Sequence, residues 1–168
     1  MTKFPLGPLG WYCLIVVGFR FTKEIVGWKV SFKAKTTDWK EALGRALCEK
    51  FPLGAQDQRI SLISDNGSQP TSVSFMRDTA LLVINQIFCS FDNPKGNAET
   101  ERVIRTVKEE LLWLSEFTFT EEARYAIRHW IKEDYNRFYV HSALVYRRPK
   151  GFRRQWEQDQ PQEADWGA

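Results

Sequence analysis

The sequence predicts an α/β protein, with one mixed central sheet flanked by helices. Two observations carry this. Runs rich in Val, Ile, Phe and Trp occupy residues 11–19 and 22–32, joined by a tight turn, which reads as an antiparallel hairpin. Shorter strand patterns then alternate with helical stripes along the rest of the chain. In order, residues 1–4 read as the remnant of a strand ahead of the hairpin. Thr37 and Asp38 open a helix whose stripe is Ala42, Leu43, Ala46 and Leu47, and Pro52 and Gly54 close it. Residues 59–63 form a short strand, Ser72 caps a helix to about Leu82, and residues 84–89 form another strand. Residues 92–96 are a loop by composition. A helix follows over residues 97–114, with Val103, Val107, Leu111 and Leu114 on one stripe. A last helix runs from Thr120 to about Asn136. The expected organisation is one domain over residues 1–152 and a polar, disordered tail over residues 153–168.

A chain of 168 residues is long enough for one buried core. Its 43% hydrophobic and 27% charged content fits a soluble globular protein. No apolar run reaches the roughly 20 residues of a membrane span, and no signal peptide is visible, so a cytoplasmic location without membrane contact is expected. Cys13, Cys48 and Cys89 are odd in number and read as free buried thiols. Two histidines and no paired cysteines give no support to a zinc module. A net charge of +3 permits DNA binding without arguing for it. The basic run Arg147, Arg148, Lys150, Arg153 and Arg154 could rest on phosphates, or be a solvated tail neutralised by Glu157 and Asp159.

The chemistry-bearing pair is Asp65 and Glu101, with 35 residues between them. Asp65 lies where an apolar strand runs into the polar loop SDNGSQPTS, residues 64–72. Glu101 lies in a strong helical pattern. Carboxylates from a strand end and a helix suit a divalent metal, which takes one or two carboxylates together with substrate phosphates. An Asp-Asn-Gly tripeptide is most often only a turn. Its flanks and a Glu at this distance favour the functional reading. Gly67 lets backbone approach a phosphate closely. Residues three or four apart share a helix face, so Glu101, Arg105 and Lys108 line up, with Asn97 one turn before. The plain alternative is an intrahelical ion pair worth about 0.3–0.5 kcal/mol.

Four blocks together resemble the catalytic core of the DDE transposase and integrase family, with the nearest likeness to bacterial insertion-sequence transposases. They are WYCLIVV through KEIVGW (residues 11–28), SDNGSQPTS (64–72), DNPKGNAETE (92–101) with Lys108, and YNR (135–137) with HSALVYRRP (141–149). The resemblance implies an RNase H-like fold and DNA cleavage and strand transfer with Mg²⁺ or Mn²⁺. Asp65 and Glu101 would be the catalytic metal ligands. Lys108, Arg105, Asn97, Gly67 and Gln69 would meet DNA. The implied partners are element ends and target DNA, a second copy or other transposase subunits, and the nucleoid when bound.

The family uses three acidic residues, and this chain shows two. The first Asp normally stands just ahead of an MTKF-like stretch, and here the chain opens on that stretch at Met1. Gly18 replaces an Asp usual in the hairpin, and Val145 replaces a Gly usual in the HSAL block. These departures imply a truncated or decaying copy with impaired catalysis. The rival reading is a non-catalytic remnant that binds DNA or pairs with transposase subunits. An RNase H-type nuclease is a weaker third reading.

Other candidates carry plainer readings. Glu99, Glu109 and Glu110 are expected as surface charge, and Glu24 as part of the second hairpin strand. Asp92 and Asn93 could shape the site or only the turn. His141 is expected to pack and hydrogen-bond. Trp113 and Trp130 are expected in the core.

Overall fold

A computed structural model describes residues 1–89 and 98–159. The predicted hairpin is present as β2 (Trp11–Gly18) and β3 (Ile25–Ser31), with β1 (Thr2–Pro5) antiparallel to β2 on its other side. A second sheet pairs β4 (Ser61–Ser64) with β5 (Asn85–Phe88) in parallel register, Ile63 opposite Ile87. β1 reaches only as far as Thr2 opposite Leu14, so Ile15–Gly18 pair with β3 alone among the described residues.

The helices are α1 (Thr36–Lys50), α2 (Val73–Leu81), α3 (Ala98–Val107), α4 (Thr120–His129) and α5 (Pro149–Asp159). Their starts follow the sequence. Asp38 accepts a hydrogen bond from the Lys35 N–H at 2.9 Å, and the Ser72 hydroxyl caps α2 by accepting from the Phe75 N–H at 3.3 Å. α3 widens into a π-helical turn at Lys108–Leu112, and α4 into a longer one at Trp130–Phe138. The second explains a register that the α period does not give. Trp130 and Ile131 are buried, and five residues on so are Tyr135 and Asn136, while Asp134 faces solvent.

Helices cover the three-stranded sheet on both sides. One face carries the main core: Phe4, Leu14 and Val30 pack against Val107, Leu112, Ile127, Trp130 and Tyr135. The other takes α1. A side chain at Gly27 would stand 2.2 Å from the Ala42 carbonyl, so only glycine allows this approach. Leu43 of α1 also joins Phe75 and Ile84 in a second cluster with Leu62 of β4, so one helix spans both sheets. The register shifts between Val17 and Gly18: Gly27 faces Val17 and Ile25 faces Gly18. This bulge turns Ile25 into the main core although it stands two residues from Gly27.

Several expectations need correction. The tail expected from residue 153 is helical through Asp159, and residues 160–168 lie outside the described residues. α5 is held by Phe152 and Trp156 against Phe21, with ring centroids 5.4 and 5.3 Å apart. Arg153 reaches Glu24 at 3.3 Å. Glu24 is not a strand residue. It is buried at the end of the hairpin turn, where Lys50 (2.5 Å) and the Thr22 hydroxyl (2.8 Å) also hold it. Trp113 is exposed, whereas Trp130 is buried as expected. Leu114 is exposed because the chain leaves the helical turn just before it. All three cysteines are free, but Cys48 is exposed on α1. No helix among the described residues is long and apolar enough to cross a membrane.

Candidate functional site

Asp65 follows the last residue of β4, where its carboxylate is exposed. The local sequence fixes its direction. Asp65 Oδ1 accepts the Gly67 N–H at 3.0 Å, closing an Asx turn. The Gly67 carbonyl accepts from the Thr71 hydroxyl at 2.8 Å. Asn66 Nδ2 donates to the Cys89 carbonyl at 2.9 Å, and the Cys89 N–H donates to the Ser64 carbonyl at 2.9 Å. The start of the β4 loop is therefore stitched to Cys89, the residue just past β5. A Cβ on Gly67 would lie 2.9 Å from Asp65 Oδ1, so glycine leaves that oxygen its room. Gln69 contributes its backbone carbonyl, which accepts from the Ser72 hydroxyl at 2.7 Å.

Glu101 is exposed in the first turn of α3, with Arg105 one turn on and also exposed. Lys108 is half-buried at the start of the π turn, its Nζ 5.9 Å from the Trp113 ring centroid. The exposed Trp113 therefore shelters Lys108 instead of filling the core. Asp65 and Lys108 both act on the Met1 amino group at the start of β1. Burial lowers its pKa first, Asp65 and Cys13 raise it, and Lys108 lowers it again. The structure thus brings the β4 loop, the end of α3 and the start of β1 to one place. The Ser64 hydroxyl, just before Asp65, is buried without a hydrogen-bond partner among the described residues. Asn97, Asp92 and Asn93 lie outside the described residues.

Glu99 does more than line the surface. It takes Lys23 at 2.6 Å and Arg20 at 3.6 Å, pinning the first turn of α3 to the hairpin turn. Glu101, two residues on, is left out of that pairing. No local pattern signals this link, because its partners lie 76 or more residues away. His141 packs edge-on against Tyr135 and Tyr139, as expected for packing. The hydrogen bond expected of its ring is missing on one side, since Nε2 has no partner among the described residues. Burial, then Arg102 and Lys23, pushes its pKa down to about 4. Burial likewise raises that of Tyr135, whose hydroxyl is also unpartnered.

A carboxylate just past β4 and another in the first turn of α3 are the donor type that a hard cation takes. Among the described residues, no three Asp, Glu, His or Cys side chains converge as a ready metal cage.

Residues 83–149 match the family described as the integrase core domain. Among curated proteins, the chain is 30% identical over 138 residues to an uncharacterized protein of insertion element IS136 from Agrobacterium fabrum, covering 79% of this chain and 68% of that one. It is 28% identical over 132 residues to the transposase for insertion sequence element IS904 from Lactococcus lactis, covering 79% of this chain and 51% of that one. Among solved structures, the catalytic core domain of BIV integrase superposes with a TM-score of 0.64 at 16% identity, covering 94% and 93% of the two chains. The HTLV-2 integrase catalytic core in complex with magnesium gives 0.56 at 16% identity, covering 89% and 88%. These likenesses show the RNase H-like fold that the motif order implied. The chain belongs to the integrase core domain family, among whose members are proteins of bacterial insertion elements.

Proposed function

We propose that this chain is the catalytic-core part of a transposase that joins DNA strands, and that its 168 residues alone perform the reaction poorly. The observation that carries the reading is the exposed Asp65 at the end of β4, held by its Asx turn, with Lys108 near enough that both charges act on the start of β1. Mg²⁺ or Mn²⁺, bound by Asp65 and Glu101, would supply activation of the attacking oxygen and charge neutralisation at the leaving one. The protein's own task is positioning. Lys108 and Arg105 orient phosphates beside the acidic pair, and the Gly67 backbone lets a strand approach closely. The family resemblance calls for a third carboxylate beside this pair. The magnesium complex of the HTLV-2 core supports the metal, and the IS904 transposase supports the reaction class.

The test is nicking and joining of supercoiled plasmid in Mg²⁺ or Mn²⁺. The chain as it stands should give little product. An Asp added directly ahead of Met1 should raise activity at least tenfold, and Asp65→Asn or Glu101→Gln should remove the gain. Efficient joining by the unextended chain would sink the impairment. A second reading, a non-catalytic DNA-binding or subunit-pairing protein, is favoured by the lack of a three-ligand cluster among the described residues. It prevails if the added Asp changes nothing while DNA binding persists.

A further inference from the structure

A groove follows the outer edge of β3, across the three-stranded sheet from β1 and Asp65. Two cavities of about 400 and 480 Å³ make it, and they share Trp28, Arg45 and Arg128, so they are one continuous channel. Its floor is β3 from Ile25 to Val30 with Glu24 just before it, and its walls come from α1, from α4 with its π extension, and from Lys150 of α5.

One wall carries a ladder of cations. Arg124, Arg128 and Lys132 are spaced four residues apart and all line the groove. Arg124 and Arg128 stand one α-helical turn apart, about 5.4 Å, and Lys132 follows in the π-helical segment. Arg45 faces them from α1 and Lys150 stands at the end. Arg124 has only a loose ion pair with Glu121 at 3.8 Å. Arg45 is held by Glu41 at 2.5 Å. Among the described residues, Arg128, Lys132 and Lys150 have no carboxylate within ion-pair reach. Three carboxylates line the groove against six cations: Glu24 is held by Lys50 and Arg153, Glu121 stands beside Arg124, and Glu49 has no ion pair among the described residues. The surplus charge is positive and sits between low-dielectric walls, which focuses the field on an anion.

The backbone of the floor disfavours a peptide strand. Asn136 occupies both the N–H and the carbonyl of Ile25, and Arg45 takes the Trp28 carbonyl at 3.3 Å. An extended peptide adding to β3 would find these groups already bonded. A regularly charged polymer needs only the cation row.

We propose that this groove seats the phosphodiester backbone of duplex DNA, as a second contact surface separate from the Asp65 loop. It rests on the reading that the chain acts on DNA. The site is sequence-neutral, because side chains that meet phosphates position a duplex without reading it.

The test measures binding of a random-sequence duplex by the full chain against salt concentration. Three phosphate contacts contribute about 2.7 to the slope of log affinity on log salt. Arg128→Gln with Lys132→Gln and Lys150→Gln should flatten the slope by about that amount. The charge-keeping Arg128→Lys with Lys132→Arg should leave it unchanged. Thermal melts check that each variant folds. An unchanged slope in the triple variant overturns the groove alone. No DNA binding by the wild-type chain overturns the groove and the DNA reading together. Polyglutamate competing as well as DNA, or a triple variant whose only change is separation of self-associated copies in sedimentation, also overturns it. An added Asp that fails to raise plasmid nicking, with the slope still flattened in the triple variant, would instead remove the catalytic reading and leave the groove standing.

Discussion

The side-chain amide of Asn136 makes both hydrogen bonds to Ile25 that a neighbouring strand would make: its Oδ1 accepts the Ile25 N–H at 2.9 Å and its Nδ2 donates to the Ile25 carbonyl at 2.8 Å. The pair is buried, and it fastens the π-helical end of α4 to the edge of β3. Asn136→Ala leaves two backbone groups without partners. The expected loss is roughly 2–4 kcal/mol, since each buried unsatisfied group costs about 1–3 kcal/mol. Urea denaturation checks it, and a loss below about 0.5 kcal/mol would mean that water replaces the amide freely.

Glu24 is a buried carboxylate shared by Lys50 and Arg153. Removing one partner of such a set is costly because the other charge stays buried, by about 3–5 kcal/mol. Glu24→Gln should therefore destabilise strongly. Adding Lys50→Met to it should recover part of the loss. A double variant less stable than the single one would contradict this account.

His141 gives a pH dependence with a definite sign. Its imidazole is pushed down to about 4, by burial first and then by Arg102 and Lys23. In the unfolded chain it titrates near 6.5. Below that pH the unfolded chain binds a proton that the folded one refuses. The stabilising contribution is full above about 6.5 and is lost as pH falls towards 4, amounting to roughly 3 kcal/mol. Denaturation at several pH values in that window should show the fall in the wild type, and His141→Gln should lack this component. An NMR titration placing the imidazole above 6 would contradict it.

Gly67→Ala tests the support of Asp65. The added methyl meets Oδ1 at 2.9 Å, so the carboxylate has to turn away. Displacing a ligand's supporting contact costs on the order of tenfold in metal affinity. Mn²⁺ titration should show that loss, with Tm changed little. Unchanged Mn²⁺ binding would mean that Asp65 does not bind through its present orientation.

Much of the fold was legible because local signals agree with tertiary ones. The β-branched hairpin, the Ser72 cap and the Thr120 start all fall within a few residues of the observed elements. Spacing and flanks single out Asp65 and Glu101 as candidates, and the Asx turn at Asp65 is written in Asp-Asn-Gly. Elsewhere long-range partners decide. α5 has a polar sequence that reads as a tail, and its order comes from Phe21 and Glu24, well over 100 residues away. The pairing of Glu99 with Lys23 is equally invisible locally. The π turns at Lys108–Leu112 and Trp130–Phe138 shift the buried positions from a period near four to five, which a helical-stripe reading cannot anticipate.

The clamp on Glu24 also sets an order of events in time. Lys50 leaves the ribosome soon after Glu24, but Arg153 follows more than 100 residues later. At about 5–20 residues per second, that interval is on the order of ten seconds. Through it the hairpin turn holds its carboxylate with one cation and lacks the aromatic cover of Phe152 and Trp156. The N-terminal hairpin is thus translated early and secured late, and a nascent chain halted before residue 150 should expose that turn to protease while the completed chain protects it.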